Sequence, residues 1–382
     1  MASLDVQDLS RYARQIRLPQ VGVDGQTALK NASVLLVGAG GLGSPAALYL
    51  AAAGVGRIGI ADADLVDVTN LQRQILYGTD NVGSRKTDIA VDRLSALNPE
   101  IEIEPIAERV TRMNALGLVQ SYDVVIDGTD NFPTRYLLSD ACVLTDTPLI
   151  YGSIDRFEGQ LSVFVANDGP CYRCLFPMPP EPGSVDNCAD AGVLGVLPGL
   201  VGTAQATEAL KLILGIGEPL VGRLLMVDAL HMRFRTIGVD RDPACPACGT
   251  HEITQLIDYD AFCASTAPVR ITNPMNDIET ITPRELNELL KGEHSITLID
   301  VREPHEFNYA RIDGAQLIPL GTIASAIPAI DPEADIVVYC HHGTRSEMAA
   351  HAIRDAGIAH VRNLVGGIDR WSREVDPAVP RY

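Results

Sequence analysis

The chain has 382 residues, a formal charge of −19 and 46% hydrophobic content. That length suits about two domains, because single cores stop growing near roughly 250–300 residues. The acidic balance argues against nucleic acid or an anionic membrane as the main partner, although local cations still decide phosphate binding.

The stretch Met1–Gln15 is polar and charged, so it carries no secretory apolar region. Ser33–Gly38 is a β-branched run feeding a glycine cluster, which predicts a buried parallel strand. Ser44–Ala53 is alanine-rich and reads as the following helix. Further strands are predicted at Arg57–Ala61, Ile101–Ile106 and Asp123–Asp127. This alternation predicts a doubly wound, Rossmann-like α/β sheet. The apolar stretches Gln160–Val165 and Leu224–Val227 would extend that sheet beyond its parallel half. Pro177–Asn187 is rich in proline, glycine and acidic residues and reads as a long mobile loop. Val193–Gly217 is the most apolar stretch, but Pro198, Glu208 and Lys211 interrupt it, which favours a buried helix over a span of about 20 clean apolar residues. The pattern weakens from Gly249 to Asp277. A second α/β pattern opens at Ile281, with Thr282 as N-cap and Pro283 in the first turn, and strands follow at Ile296–Asp300 and Asp335–Tyr339. The expected organisation is a first domain at 1–249, a linker at 250–278 and a small α/β domain at 279–382.

Two C-x2-C knuckles, Cys171/Cys174 and Cys245/Cys248, lie about seventy residues apart. Each offers two thiolates to one side of a tetrahedral ion, so together they predict a closed, structural Zn2+ site and not a catalytic one. Four unrelated buried cysteines are the bland alternative. Thiolate chemistry without an export signal favours a reducing cytoplasm.

Gly38-Ala39-Gly40-Gly41-Leu42-Gly43 matches G-x-G-x-x-G between a strand and a helix, where backbone N–H groups and the helix N-terminus attract phosphate. Asp62 follows about twenty residues on, placed to accept ribose hydroxyls. The motif alone cannot separate NAD from ATP. Downstream, Asn70-Leu71-Gln72-Arg73-Gln74 and Arg85-Lys86 supply cations, and Asp127-Gly128-Thr129-Asp130-Asn131 puts a carboxylate at the sheet's carboxyl edge. A cation clamp with a metal-binding carboxylate is what phosphoryl or nucleotidyl transfer requires.

These motifs, with Arg11-Tyr12-Ala13-Arg14-Gln15 and both knuckles, resemble the MoeB/ThiF adenylyltransferases of the ubiquitin-activating superfamily, over roughly residues 8–250. The resemblance implies ATP bound by Gly41, Asp62, Asn70, Arg73, Lys86, Asp130 and Asn131, with Asp130 also serving Mg2+. It implies a homodimer in which Arg14 reaches the neighbouring subunit's site. The implied reaction is adenylation of the C-terminal Gly-Gly carboxylate of a ubiquitin-like sulfur carrier. A carboxylate is already a nucleophile at neutral pH, so this reaction needs orientation and charge neutralisation, which Arg14, Arg73, Lys86 and Mg2+ could supply. In the resembling family a cysteine at the position of Cys188 can attack the acyl-adenylate or form an acyl persulfide. Asp186 and Asp190, however, would disfavour its thiolate.

Asp335–Tyr339 runs into Cys340-His341-His342-Gly343-Thr344-Arg345-Ser346. A thiol at such a strand-to-helix turn faces inward N–H groups, a helix N-terminus and Arg345, all of which stabilise a thiolate or persulfide. This loop resembles the rhodanese family, as do Leu298–Glu303, Asp313-Gly314-Ala315 and Gly366–Trp371, over about residues 280–380. Ala310-Arg311-Ile312 stands where that family often carries Gly-His-Ile. Related phosphatases have five residues between Cys and Arg, whereas this chain has four, which suits a terminal sulfur better than phosphate.

The whole chain resembles fused adenylyltransferase–sulfurtransferases of the molybdopterin and thiolated-tRNA pathways. It would activate a carrier of the molybdopterin-synthase small-subunit type, then pass it sulfur from a Cys340 persulfide loaded by thiosulfate or a cysteine desulfurase. Two alternatives belong to other classes. An NAD-dependent oxidoreductase is allowed by the glycine turn and Asp62 but disfavoured by Arg73, Lys86 and Asp130. A non-catalytic docking protein would hold the carrier without turning over ATP.

Overall fold

The computed structural model describes residues 3–180, 192–264, 278–292 and 296–381, and the chain divides into two compact units. Cys188 and most of the Pro177–Asn187 loop lie outside the described residues. In the first unit the strands are β1 (Ser33–Val37), β2 (Arg57–Ala61), β3 (Glu102–Ile106), β4 (Val124–Asp127), β5 (Leu149–Asp155), β6 (Glu158–Phe164), β7 (Arg223–Asp228) and β8 (Arg233–Gly238). They pair in the order β3-β2-β1-β4-β5-β6-β7-β8. The pairs from β3 to β5 are parallel, whereas β5 to β8 are joined antiparallel. The doubly wound half and its extension both follow the sequence expectation.

The parallel strands read as unbroken apolar runs because both faces are covered. Val34 and Leu36 join Ala46, Ala47 and Leu50 in one core, while Leu35 and Val37 join Tyr136, Leu137 and Leu138 in the other. The small residues of helix Gly43–Ala53 let helix Leu197–Leu214 pack close on top. That second helix is the apolar stretch read from the sequence. Its Gln205 amide donates to Asp127 O at 2.7 Å and Ile150 O at 3.2 Å, tying it to the ends of β4 and β5. Among the described residues no helix is long and apolar enough to cross a membrane.

The first unit continues past the second knuckle. Helix Tyr259–Ala264 packs on helix Phe132–Thr145, so residues 250–264 belong to this unit.

In the second unit β9 (Glu279–Ile281), β10 (Ile296–Asp300), β11 (Gln316–Leu317), β12 (Asp335–Tyr339) and β13 (Val361–Leu364) form a parallel sheet in the order β11-β10-β12-β13-β9. Helix Pro283–Lys291 opens with a reciprocal cap. The Thr282 N–H donates to the Glu285 carboxylate at 2.9 Å, and Thr282 Oγ1 accepts the Glu285 N–H at 3.4 Å. β12 is central and buried, and it delivers Cys340 to the carboxyl edge of the sheet, where open α/β sheets place their ligands.

Candidate functional site

In the first unit a cavity of about 820 Å³ opens at the carboxyl edge of β1, β2 and β4. Its floor is the glycine turn. Gly38 has φ +93°, and a Cβ there would lie 2.7 Å from Gly128 O, so the turn and the β4 loop touch backbone to backbone. The Ala39 N–H donates to Asp62 Oδ2 at 2.8 Å and the Asp64 N–H to Asp62 Oδ1 at 2.9 Å, which fixes the carboxylate on the glycine turn.

Lys86 starts helix Lys86–Leu97 and is buried, with Nζ 2.9 Å from Asp64 Oδ2 and 3.7 Å from Asp62 Oδ2. A buried ammonium needs such partners. Gly41, Asp62, Arg73, Lys86, Asp130 and Asn131 all line this one cavity. Arg73 is held by Nη1 donating to Thr69 O at 3.1 Å. Gln74 is buried in the same lining, and its Oε1 has no hydrogen-bond partner among the described residues, an acceptor that suits a ligand O–H or N–H.

Asn70 and Asn131 also act as caps. Asn70 Oδ1 accepts the Asp67 N–H at 3.3 Å within the turn that carries Arg73, and Asn70 is not in the cavity lining. Asn131 Oδ1 accepts the Thr134 N–H at 3.0 Å and opens helix Phe132–Thr145, so its cap sets the position of Asp130 beside it. Arg14 is exposed on the short helix Ala13–Ile16 and lies outside the lining. The lining also contains residues that the sequence reading did not single out. Arg135, with Nη2 donating to Thr129 O at 3.1 Å, is one; Glu108–Met113 and Ile257–Asp260 are others. No motif marks them, because each is brought in by packing and not by spacing.

The four knuckle sulfurs converge. Cys171 Sγ lies 3.5 Å from Cys245 Sγ, Cys174 Sγ lies 3.4 Å from Cys248 Sγ, and all four sit within 4.8 Å of one another. A tetrahedral ion with metal–sulfur bonds of about 2.3 Å would hold its sulfurs ~3.8 Å apart, so the cluster fits one. Burial, with the neighbouring sulfurs, pushes the Cys171 thiol up, and burial raises Cys248 to about 11. Burial also raises Cys245, but the N–H groups of Cys248 and Ala247, together with the Cys171 and Cys248 side chains, outweigh it and bring that thiol below its ordinary value. Four thiolates at this separation would repel one another, and a cation bound between them would offset that repulsion.

In the second unit Cys340 is buried at the start of the turn between β12 and helix Thr344–Asp355. Its Sγ accepts the Gly343 N–H at 3.1 Å, and the Ser346 hydroxyl lies 3.4 Å from it. Gly343 has φ +111°, the left-handed geometry that turns its N–H inward. Ser346 Oγ lies 2.7 Å from Asn363 Oδ1, and Asn363 Nδ2 donates to Gly343 O at 3.0 Å. A buried serine and asparagine therefore back the sulfur, and Asn363 did not stand out in the sequence. The Arg345 guanidinium donates to both Glu306 oxygens at 2.8 and 2.9 Å, so its position is set by a carboxylate from helix Pro304–Tyr309. Where the Gly-His-Ile pattern is absent, Arg302 Nη2 donates to Ala310 O at 2.6 Å and the Ile312 N–H to the Tyr339 hydroxyl at 3.2 Å, which keeps the turn tied to the core.

His341 is buried with its ring 4.0 Å from that of His342. Burial, then the His342 neighbour, push its pKa down from 6.5 to about 4, against the opposing pull of Asp369 and Glu306. It is therefore neutral near pH 7 and lends the sulfur no charge. The unfolded chain binds this proton from about pH 6.5 downward and the folded chain only near 4, so the second unit loses stability as pH falls through that window and keeps it in full above. A His341→Asn variant should show a flatter decline in the second unit's unfolding midpoint between pH 7 and 4 (about one fewer proton taken up). An unchanged slope would refute the assignment.

Residues 12–247 match the ThiF family and residues 282–374 match the rhodanese-like domain. The chain is 46% identical to the probable adenylyltransferase/sulfurtransferase MoeZ of Mycobacterium tuberculosis, covering 100% of this chain and 97% of that protein. It is 41% identical to the adenylyltransferase and sulfurtransferase MOCS3-1 of Zea mays, covering 100% of this chain and 85% of that protein. Among solved structures, E. coli MccB with ATP aligns with a TM-score of 0.56 at 24% identity over 65% of this chain and 75% of that one, a likeness of fold. By its matched domains and its full-length relatives, the chain belongs to the ThiF family and carries a C-terminal rhodanese-like domain.

Proposed function

We propose that this enzyme adenylates the C-terminal glycine of a ubiquitin-like sulfur-carrier protein and then converts it to a thiocarboxylate with sulfur held on Cys340. The observation that carries this reading is the pairing, in one chain, of the Gly41–Asp62–Lys86–Asp130 cavity with an N–H-lined thiol turn, in a family whose full-length relatives are named for both transfers. Membership of the ThiF family displaces the oxidoreductase alternative.

In the first step a carrier carboxylate oxygen attacks the α-phosphorus of ATP, and the bond to pyrophosphate breaks. Asp62 accepts ribose hydroxyls, Arg73 and Lys86 take the phosphates, and Arg14 of a second subunit completes the cation set. Asp130 would hold Mg2+, which supplies charge neutralisation on the polyphosphate. In the second step the terminal sulfur of a Cys340 persulfide attacks the carrier carbonyl and AMP leaves. A thiol then cleaves the remaining S–S bond and frees the thiocarboxylate. Cys188 is the candidate to relay the acyl group. Thiosulfate or a cysteine desulfurase would load Cys340, with Gly343 and Ser346 stabilising the anion and Arg345 setting the field beside it. None of the described cysteines forms a disulfide, which suits a reducing compartment.

The test is to incubate the chain with ATP, Mg2+, thiosulfate and a diglycine-tailed carrier, and to weigh the carrier. Adenylate should appear first and thiocarboxylate after thiosulfate is added. An unchanged carrier mass across the molybdopterin, thiamin and cysteine-biosynthesis types would overturn the reading.

The cysteine cluster is assigned to structural Zn2+. Cys245→Ser should lower the bound zinc and cost several kcal/mol, shifting the first unit's unfolding by about 10 °C at roughly 2–4 °C per kcal/mol. Elemental analysis with calorimetry checks both, and full stability without metal would dismiss the zinc.

A further inference from the structure

The segment beyond the second knuckle reaches the nucleotide cavity. Ile257, Asp258, Tyr259 and Asp260 line it together with Gly41 and Lys86, although they follow the last residue matched to the ThiF family, 247. Helix Tyr259–Ala264 is too short to hold itself there, so its position needs a tether.

That tether is a buried polar chain. Tyr259 is 5% exposed, and its hydroxyl donates to Asp140 Oδ2 at 2.7 Å. Asp140 is fully buried on helix Phe132–Thr145 and also accepts two hydrogen bonds from Arg173, both at 2.8 Å. Arg173 stands between Cys171 and Cys174, so the third member of the chain is part of the first knuckle. Its guanidinium lies 4.7 Å from the Phe262 ring and 4.9 Å from the Tyr136 ring. A buried ion pair costs desolvation unless its lone pairs are satisfied, and Tyr259 supplies the bond that completes Asp140. Burial keeps the Tyr259 phenol protonated, hence a donor.

The lining divides by chemistry. Arg73, Lys86 and Asp130 suit phosphates and their cation, whereas Val110, Leu137 and Ile257 are apolar and suit a flat base. Val110 and Ile257 also pack against the same core.

We propose that residues 257–260 form a wall against which the base of bound ATP packs, and that the Tyr259–Asp140–Arg173 chain makes the position of that wall depend on the first cysteine knuckle. This deepens the reading of the cavity as an ATP site and rests on it. The metal cluster then serves nucleotide affinity as well as fold stability, through a segment that the family match does not include.

The test uses the full chain and ATP as the probe. Ile257→Ala should weaken equilibrium ATP binding roughly tenfold, the loss expected for a few buried methyl groups, and raise KM for ATP in pyrophosphate exchange in step with it while kcat moves far less. Ile257→Leu should restore both. Tyr259→Phe keeps the ring and removes only the bond to Asp140. It should raise KM about threefold to tenfold with zinc content intact. Backbone amide exchange at 257–262 should slow when ATP is added to the native chain. A retained kcat in pyrophosphate exchange and native zinc content in both variants exclude misfolding of the first unit as the cause, and persulfide loading at Cys340, in the second unit, should also be native. ATP affinity unchanged in both variants, with native ATP binding intact, would overturn the wall alone. Failure of the native chain to bind ATP would overturn the functional reading first, and this inference with it.

Discussion

Replacing Cys340 by alanine is expected to abolish sulfur loading, by at least ~100-fold, while ATP–pyrophosphate exchange continues at the native rate. The reason is that nothing else at the turn can take its place. Its Sγ is the atom that takes the Gly343 N–H, with the Ser346 hydroxyl 3.4 Å away. Cys340 also belongs to the second compact unit, whereas the cavity proposed for ATP is lined wholly by the first. A persulfide is a larger and softer anion than a thiolate, and fixed N–H dipoles stabilise it without reorganising. Ser346→Ala should therefore cost less than Cys340→Ala, about tenfold, because the Gly343 N–H still donates to the sulfur. Thiosulfate-dependent labelling of Cys340, read by mass alongside pyrophosphate exchange, separates these outcomes. Loss of both activities in Cys340→Ala would mean that the two sites are not independent.

Legibility differed sharply between parts of the chain. The strand at Ser33–Val37 and the glycine turn after it were legible because burial on both faces forces an unbroken apolar run, and backbone contact forces glycine. The four-sulfur cluster was legible because a C-x2-C turn can present only two sulfurs, so the second pair had to come from afar. β5 was hidden by its short apolar core and Gly152, and β8 because it is exposed along its whole length at the sheet edge. Weak periodicity in 250–264 suggested a linker. The segment is instead anchored by two aromatic residues, Tyr259 and Phe262, and aromatic anchors leave no period to read.

The sites show the same division. Residue types such as Lys86 and Cys340 announce chemistry, but their partners are set by tertiary contact. Glu306 lies 39 residues before Arg345, and Asn363 lies 17 residues beyond Ser346, and neither separation follows from a motif. Asn70 and Asn131 carry capping duties that a binding motif does not reveal.

Lys86→Met is the substitution expected to do most damage to adenylation, lowering pyrophosphate exchange by about 10³-fold, the scale seen when a preorganised charge is removed from a transition state. Lys86 is buried at the start of its helix, within 3.7 Å of Asp62 and 2.9 Å of Asp64, so its ammonium is already desolvated and aimed before any ligand arrives. Methionine keeps the stem and loses the charge. It also leaves the Asp62 carboxylate, only 8% exposed, without its nearest cation, so weaker nucleotide binding should accompany the lost rate. Lys86→Arg should recover little, because a planar fork cannot occupy the place of a compact ammonium held between two carboxylates. Asp64→Asn is the discriminating partner. Asp64 is 64% exposed, so if it only orients Lys86 its loss should cost roughly tenfold or less. Measured against native persulfide loading at Cys340, a hundredfold or greater deficit confined to adenylation in Lys86→Met would support the assignment. Near-native exchange would remove Lys86 from the reaction and return the cavity to simple nucleotide binding.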